Sequence, residues 1–442
     1  MSDMDKIEAK FSKKASGYVA EYEPLNIQFN ISHLHTAKWG AITAEMLIKD
    51  TKSNSGNVIK WQTVDLLGNR TPLINSLLRT NPKIPWSELV DDVCHRSLTD
   101  YKSGEPAVLL DTSREIKPPE FLVYPLLLKN KPNIFFGEAK SCKSEIAKML
   151  SIACILPYTD NKLQWIVPEE PTQTLYLDWE DDEDTFLYQY KQLSMGIGID
   201  GMQLIHYRRC YHSLSDDIEQ IQEWVYKTKA KLVIVDSILG AVGGRSSKDT
   251  ETAAEFYNSL RQLGNITTLL IGHTSKAEAR PGQKKTVIGS MNFEARARSV
   301  WEVKMADESS TSVKQIGMFN TAFNQKQMRP VSYKVNFHDD NDDYLTMGTT
   351  IELASVDGAA SLEDRLPLYK KIHKVIAGTE TTRGLGWATT KEIFECLGGE
   401  TTMATVNTTL RRYTRIFKKI DDKWGLFTMD EPNGIKQGEL NE

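Results

Sequence analysis

Apolar and polar positions set the first divisions of the chain. Residues 1–28 read as polar and loosely structured. From Trp39 the pattern turns strand-like: "AITAEMLIKD" (41–50), the turn-rich "TKSNSGN" (51–57) and "VIKWQTVDLL" (58–67) predict a hairpin. "RTPLINSLLR" then predicts a helix, with Thr71 as N-cap and Pro72 at the first helical position, and "PWSELVDDVCHRSLTDYK" a second helix. Residues 1–105 are thus expected to form an accessory α+β region. His33 and His35 are candidate metal ligands there, with no partner cluster nearby.

From residue 106 to 354 short apolar, β-branched runs alternate with helical patterns. Strands are predicted at 133–136, 174–178, 203–207, 231–236 and 267–272, with helices from 143 to 156, from near Asp184, over 215–229 capped by Ser215, and over 250–263. Strands near 298–305, 314–320 and 331–337 close the region, the acidic turn "HDDNDD" (338–343) joining the last two of a terminal meander. Repeated β-α-β units of this kind predict an α/β fold with a mainly parallel sheet flanked by helices. A small-residue linker (355–361) leads to a third unit (362–429), and a polar tail (430–442) is expected to be disordered.

Composition narrows the function classes. The chain has 442 residues, 40% hydrophobic and 26% charged, with a formal charge of −5, so it does not advertise nucleic-acid binding as a whole. The third unit is different: 12 Lys and Arg against 8 Asp and Glu give +4, leaving −9 for the rest. Cys94, Cys142, Cys154, Cys210 and Cys396 form no C-x-x-C pair, which argues against a zinc site or disulfide framework. No apolar run reaches the ~18 residues of a membrane span, and the polar start is unlike a signal peptide. An intracellular, soluble, cytoplasmic protein with no membrane partner is expected.

The candidate chemistry begins at "IFFGEAKSCKSEIAKML" (134–150), close to the phosphate loop G-x-x-x-x-G-K-[ST]. Gly137, Lys143 and Ser144 hold the first, seventh and eighth positions, between a strand and a helix. In such a loop, backbone N–H groups and a helix N-terminus hold phosphates, the lysine reaches the β/γ-phosphates and the hydroxyl ligates magnesium. Cys142 stands where the second glycine belongs, and its side chain is expected to lie beside the β-phosphate. "KLVIVDSILGA" (231–241) ends a buried strand in Asp236, placed to support magnesium, and "TLYLDWEDDEDTF" (174–186) points Glu180 out of another strand end, where a carboxylate can orient and activate water. Asp181 to Asp184 fit the cap of the following helix. "TTLLIGHTSKAEA" (267–279) ends in His273, suited to feel the γ-phosphate. The loop beyond carries Lys276, Arg280, Lys284 and Lys285 and could follow a single-strand backbone. A second flexible loop after Leu239 carries Arg245 and Lys248. If subunits form a ring, Lys326 and Arg329 in "FNQKQMRP" could reach a neighbour's γ-phosphate.

In this order the segments "GEAKSCKS", "LYLDWED", "LVIVDS", "LLIGHTSK", "GSMNFEARARSVWEV" and "NQKQMRP" resemble the RecA/DnaB-like ATPases, in the branch of hexameric plasmid replicative helicases of the RepA type, over residues ~118–340. The resemblance implies ATP and Mg2+ as cofactors. ATP would bind along Gly137, Glu138, Ala139, Lys140, Ser141, Cys142, Lys143 and Ser144, and the metal at Ser144 and Asp236. It implies Glu180 as the catalytic carboxylate, His273 as the sensor, Lys326 and Arg329 as the trans-acting pair, Arg298 near a subunit interface, and a homo-oligomer of the hexameric-ring kind. Cys142, Ala139 and Lys140 depart from the glycine-rich pattern, which puts nucleotide affinity and turnover in question more than the fold.

The third unit reads as helix, helix, turn, helix and a two-stranded wing. It resembles a winged helix-turn-helix, with Ile393, Phe394, Leu397, Val406 and Leu410 facing inward and the second helix of the pair available to a DNA major groove. Arg411, Arg412, Arg415, Lys418 and Lys419 cluster where phosphate contacts are made. The expected function is a DNA-dependent ATPase, helicase or recombinase, meeting single strands through the core loops and duplex through the wing domain. The alternative is a non-hydrolysing, nucleotide-sensing DNA-binding regulator.

Overall fold

Alternation begins earlier in the chain than the sequence reading placed it. In the computed structural model, strands β1 (Lys10–Lys14), β2 (Gly17–Tyr22) and β3 (Ile27–Thr36) occupy much of the stretch expected to be loose. Their inward positions are filled by Tyr18, Ala20, Tyr22, Ile27, Phe29 and Ile31, all buried. Their outward positions carry Glu, Gln, Asn and Ser, so average polarity hides a period of two. The structure describes residues 8–14, 17–36, 40–52, 57–103, 107–199, 205–244, 250–274, 287, 291–307, 309–310, 312–323, 328–337, 348–356, 359–363, 365–383, 386–398 and 401–427.

The chain divides into two units: residues 1–119 with 214–229 and 258–264, and the remainder. In the first unit β4 (Ile42–Asp50) and β5 (Asn57–Asp65) complete an antiparallel meander in the order β1-β2-β3-β4-β5. Helices α1 (Thr71–Thr80) and α2 (Trp86–Ser103) give Leu73, Leu77, Trp86, Leu89, Val90 and Val93 to its core. Helix α1 starts one residue earlier than expected: Arg70 takes the cap position and Thr71 opens the helix. The ring of His33 lies 3.3 Å from the Glu219 carboxylate. Among the described residues no group of three or more His, Cys, Asp or Glu is placed to hold a metal.

In the second unit β6 (Phe121–Val123) and β7 (Leu127–Leu128) pair with each other. There follow β8 (Pro132–Gly137), α3 (Lys143–Ile155), β9 (Thr174–Asp178), α4 (Glu183–Gly196) and β10 (His206–Arg209). Helix α5 (Leu214–Thr228), which belongs to the first unit, begins at Leu214, one residue before the predicted cap Ser215. Next come β11 (Leu232–Asp236), α6 (Ile238–Ala241), α7 (Thr250–Gln262), whose residues from Asn258 on belong to the first unit, β12 (Thr267–His273), α8 (Met291–Arg296), β13 (Ser299–Met305), β14 (Val313–Phe323), β15 (Val331–Asn336) and β16 (Thr350–Ala354). The turn at 338–343 lies outside the described residues.

The large sheet runs β10-β9-β11-β12-β8-β13-β14-β15-β16. The first six strands are mutually parallel and the last three are added antiparallel. Phe135, Tyr176, Ile234, Ile271 and Trp301 share one core with α3 and α4. Their neighbours Phe136, Leu177, Val235, Leu270 and Val300 are also buried, so both faces of the central strands are covered, as a parallel sheet requires. Strand β12 lies between β8 and β11.

After β16 the linker carries a short helix, α9 (Ala360–Glu363). Its neighbour Arg365 binds the buried Glu302 of β13 at 2.7 Å. Then come α10 (Leu368–Arg383), β17 (Trp387–Thr389), α11 (Thr390–Cys396), α12 (Met403–Arg412), β18 (Phe417–Ile420) and β19 (Lys423–Leu426), the strands ordered β17-β19-β18. Thr389 and Glu392 form a capping box at α11, and Thr402 caps α12. Ile393, Leu397, Val406, Leu410, Phe417 and Trp424 form a core of their own. The residues from 428 onward lie outside the described structure.

One close approach fixes where the large sheet meets the candidate site. A Cβ on Gly137 would lie 2.1 Å from the Val303 carbonyl oxygen of β13. Overpacking at that point displaces backbone, so Gly137→Ala is expected to lower stability by about 2 kcal/mol, read from denaturant unfolding. An unchanged unfolding midpoint would contradict the contact.

Candidate active site

Four parallel strands end within two residues of one level. His273 pairs in register with Gly137, and Asp236 with Asp178. The sheet therefore delivers the residues following β8, β9, β11 and β12 to a single carboxyl edge, where ligands of open parallel sheets bind.

The loop between β8 and α3 is built around backbone conformation. Lys140 (φ 64°) and Cys142 (φ 59°) are both left-handed, and Cys142 occupies the N-cap of α3 without a capping hydrogen bond from its side chain. An L-residue held there costs on the order of 1–2 kcal/mol, which glycine avoids. The expectation that the thiol sits beside a phosphate is corrected: Cys142 is 2% exposed and belongs to the apolar core under α3. Burial, with the nearby Glu145 adding to it, pushes the thiol up to about 12, so it carries no negative charge at neutral pH. The departure from glycine acts on the backbone, not on the space above the loop.

Lys143 is buried, and its ammonium donates to Glu138 O (2.6 Å), Ser141 Oγ (3.2 Å) and Gly137 O (3.3 Å). Burial lowers its pKa, while Asp236, Glu145 and Glu180 oppose that shift. With no side-chain cap on α3 and a lysine centred on the loop oxygens, the segment fits a phosphate group.

Ser144 hydrogen-bonds to Asp236. The Tyr176 hydroxyl donates to Asp236 Oδ2 at 2.6 Å. Burial raises the Asp236 carboxyl above its ordinary range, and the bonds from Tyr176 and Ser144 and the charge of Lys148 oppose this. A hydroxyl beside a buried carboxylate is the donor set that suits Mg2+, which takes few protein ligands and keeps water. On this arrangement Ser144 and Asp236 would hold it.

Glu180 follows β9 by two residues, and its N–H and that of Asp181 donate to Asp178 Oδ1 (2.9 and 3.0 Å), which fixes the turn. Its carboxylate receives the Ser237 hydroxyl and lies 3.1 Å from His273 Nε2. The His273 hydrogen bond is the main cause that lowers the Glu180 pKa, joined by Ser237 and the charge of Lys143 against a burial effect of opposite sign. Asp182 caps α4 through Thr185 N–H. The acidic run thus takes the capping role read from the sequence, through Asp182.

The edge accordingly gathers Gly137 to Ser144, Glu180, Asp236 and His273. Other expected residues lie elsewhere. Val331, which opens β15, pairs with Met318, and Met318 stands level with Val303 and Gly137, so Arg329 lies near the level of the phosphate loop but three strands away from β8, across β13 and β14. Arg298 lies at the opposite, amino edge of the sheet, just before β13, its N–H donating to Pro132 O. Lys326, Lys276, Arg280, Lys284, Lys285, Arg245 and Lys248 lie outside the described residues. Arg411, Arg412, Arg415 and Lys419 are exposed around the end of α12 and on β18. Lys418 lies 5.3 Å over the Trp387 ring and Lys419 5.8 Å over Trp424.

Sequence reading missed Tyr176, Lys148 and Ser237. A tyrosine inside an otherwise aliphatic strand was the available signal, since a buried phenol needs a partner. Also unforeseen is a cavity of about 400 Å3 lined by Glu145 of α3, Tyr188 and Gln192 of α4, and Phe337 beyond β15.

Strand order and site geometry define a phosphate-loop-like turn at the carboxyl edge of a mainly parallel α/β sheet flanked by helices. Residues 102–279, which span the phosphate loop, Glu180, Asp236 and His273, match the family model described as "AAA domain". Among solved structures the chain is similar to a KaiC-like protein of the hyperthermophilic archaeon Pyrococcus horikoshii. The two are 12% identical with a TM-score of 0.36, and the likeness covers 53% of this chain and 94% of that one. No curated protein matches the chain. No helix among the described residues is long and apolar enough to cross a membrane.

The loop geometry makes one direct prediction. Cys142→Gly exchanges about 1–2 kcal/mol of left-handed strain for glycine's entropic cost and a lost core contact, so stability is expected within about 1 kcal/mol of wild type. Nucleotide turnover should be unchanged or faster. Loss of nucleotide binding, measured by titration with a fluorescent analogue, would show that the thiol has a role besides backbone accommodation.

Proposed function

We propose that this chain is a nucleic-acid-dependent ATPase motor of the RecA/RepA type, acting as a DNA helicase or a related replication or recombination ATPase. The observation that carries the reading is the convergence of Lys143, Ser144, Asp236 and Glu180 at one sheet edge. Lys143 exchanges its three loop acceptors for β/γ-phosphate oxygens. Bound Mg2+ would neutralise charge on the phosphates. Glu180, kept deprotonated by His273 and Ser237, accepts the proton of the attacking water. The cavity beside Glu145 gives a base an aromatic wall at Phe337 and hydrogen-bonding groups at Tyr188 and Gln192.

His273 touches Glu180, so a change at the γ-phosphate felt by the carboxylate reaches the end of β12 and the basic segment 275–286 beyond it. Single-stranded DNA is the proposed ligand of that segment. The helix–strand–helix–helix–hairpin of the C-terminal region is read as a winged helix, with Arg411, Arg412, Arg415, Lys418 and Lys419 facing phosphates of duplex DNA. Arg329, three strands across the sheet from its own phosphate loop, suits action on a neighbour's nucleotide in a homo-oligomeric ring.

ATP turnover with and without single-stranded DNA tests this. Wild type is expected to hydrolyse ATP and to be stimulated by the strand, and Lys143→Ala and Glu180→Gln each to lose about 10²–10³-fold. Equal rates in all three proteins would overturn the motor and leave the non-hydrolysing regulator.

The pH profile gives an independent check. A base with a depressed pKa keeps its rate until pH falls through that pKa. His273→Ala removes the main lowering influence, so the acid limb should move to higher pH. An acid limb that stays in place would remove His273 from Glu180's control.

A further inference from the structure

The phosphate-loop helix buries a lysine that no step above uses. Lys148, on the second turn of α3, is 1% exposed. Its ammonium donates to Gln189 Oε1 at 2.5 Å and lies 5.1 Å over the Phe186 ring and 5.9 Å over the Tyr176 ring. A buried ammonium is costly unless charge nearby compensates it, and a methionine would fill the same volume without that cost. The carboxylates on which the Lys148 charge acts are Asp236 and Asp181. Between Lys148 and Asp236 stands Tyr176, fully buried, with its hydroxyl 2.6 Å from Asp236 Oδ2. Ser144 binds the same carboxylate.

We propose that Tyr176, backed by Lys148, is a positioning residue for Asp236, holding one carboxylate oxygen so that the group presents itself to Ser144 and to a divalent cation in a single orientation. This rests on the nucleotide-binding reading. An unheld carboxylate on a buried strand end would be free to rotate. The phenol removes that freedom on one side, and the aromatic-stacked ammonium sets the potential behind it. Partners that orient a metal-binding carboxylate in this way are worth about 10–100-fold in metal affinity. Gln189, on α4, anchors the lysine.

The test uses the full chain, a non-hydrolysable fluorescent ATP analogue, and Mg2+ titrated from an EDTA baseline. Tyr176→Phe keeps the ring and removes only the hydroxyl. It is expected to raise the Mg2+ concentration for half-maximal analogue binding by about 10-fold or more. Analogue binding in EDTA should stay near wild type. Lys148→Met should shift the Mg2+ midpoint in the same direction. In an Asp236→Asn background Tyr176→Phe should add no further shift, because both changes act through one group. A wild-type Mg2+ midpoint in Tyr176→Phe overturns the proposal, as does an undiminished shift in the Asp236→Asn background. If Tyr176→Phe melts early, Lys148→Met alone and in the Asp236→Asn background decides by the same criteria. Wild-type protein that binds no analogue, with or without Mg2+, overturns the nucleotide reading itself. Mg2+-dependent binding that neither variant alters overturns only the positioning role.

Discussion

The site depends on main-chain register. Strands β8, β12, β11 and β9 are hydrogen-bonded side by side and in parallel, and the pairs His273↔Gly137 and Asp236↔Asp178 end them within two residues of each other. A one-residue slip in any of these strands would turn its terminal polar residue to the other face. Aliphatic residues on both faces of the strands oppose such a slip. The apolar packing of Leu175, Leu177, Val233, Val235, Leu269 and Ile271 therefore decides where Glu180 and Asp236 stand. Gly137 completes the constraint, since its missing Cβ lets β13 close on β8 at the point where the phosphate loop departs.

Within that frame the two acids are driven apart. Asp236 sits fully buried on a strand, where desolvation favours its neutral form, and it stays useful through Tyr176, Ser144 and Lys148. Glu180 sits on a turn, partly exposed, and the bonds from His273 and Ser237 favour its charged form. Environments that separate like groups in this way separate their tasks. The buried acid is suited to a cation that compensates its desolvation, and the outer one to a proton in transit.

Much of this was legible in the sequence because strand ends and helix starts have local signatures. Apolar runs closed by Asp236, His273 or Gly137, and a Lys-Ser pair opening a helix, needed no knowledge of distant contacts. What stayed hidden was either low in contrast or non-local. Strands β1 to β3 escaped because Ala20 and Tyr18 fill inward positions that an average-hydropathy reading discounts. The Tyr176–Asp236 and Glu180–His273 contacts join residues 60 and 93 positions apart, so no local spacing announces them. Cys142 was visible as a departure from glycine but was assigned to side-chain space. Its φ angle places the issue in the backbone, and its burial points the thiol into the core.

That backbone cost raises the matter of what holds the loop in shape. Two non-glycine residues, Lys140 and Cys142, are kept left-handed, and the Cys142 side chain makes no cap to α3. The compensation is visible in Lys143, whose ammonium spans Gly137 O, Glu138 O and Ser141 Oγ, while Ser141 Oγ itself donates to Glu138 O. On the proposed reading, the lysine that would meet a phosphate braces the strained loop beforehand. Binding a nucleotide then exchanges one set of charge-assisted bonds for another, so the net gain is smaller than the phosphate contacts alone would suggest. A glycine-rich loop would need less bracing and would leave its lysine freer. The departures from glycine and the self-bonded lysine are two sides of one balance, in which a well-shaped phosphate seat is maintained at the expense of grip.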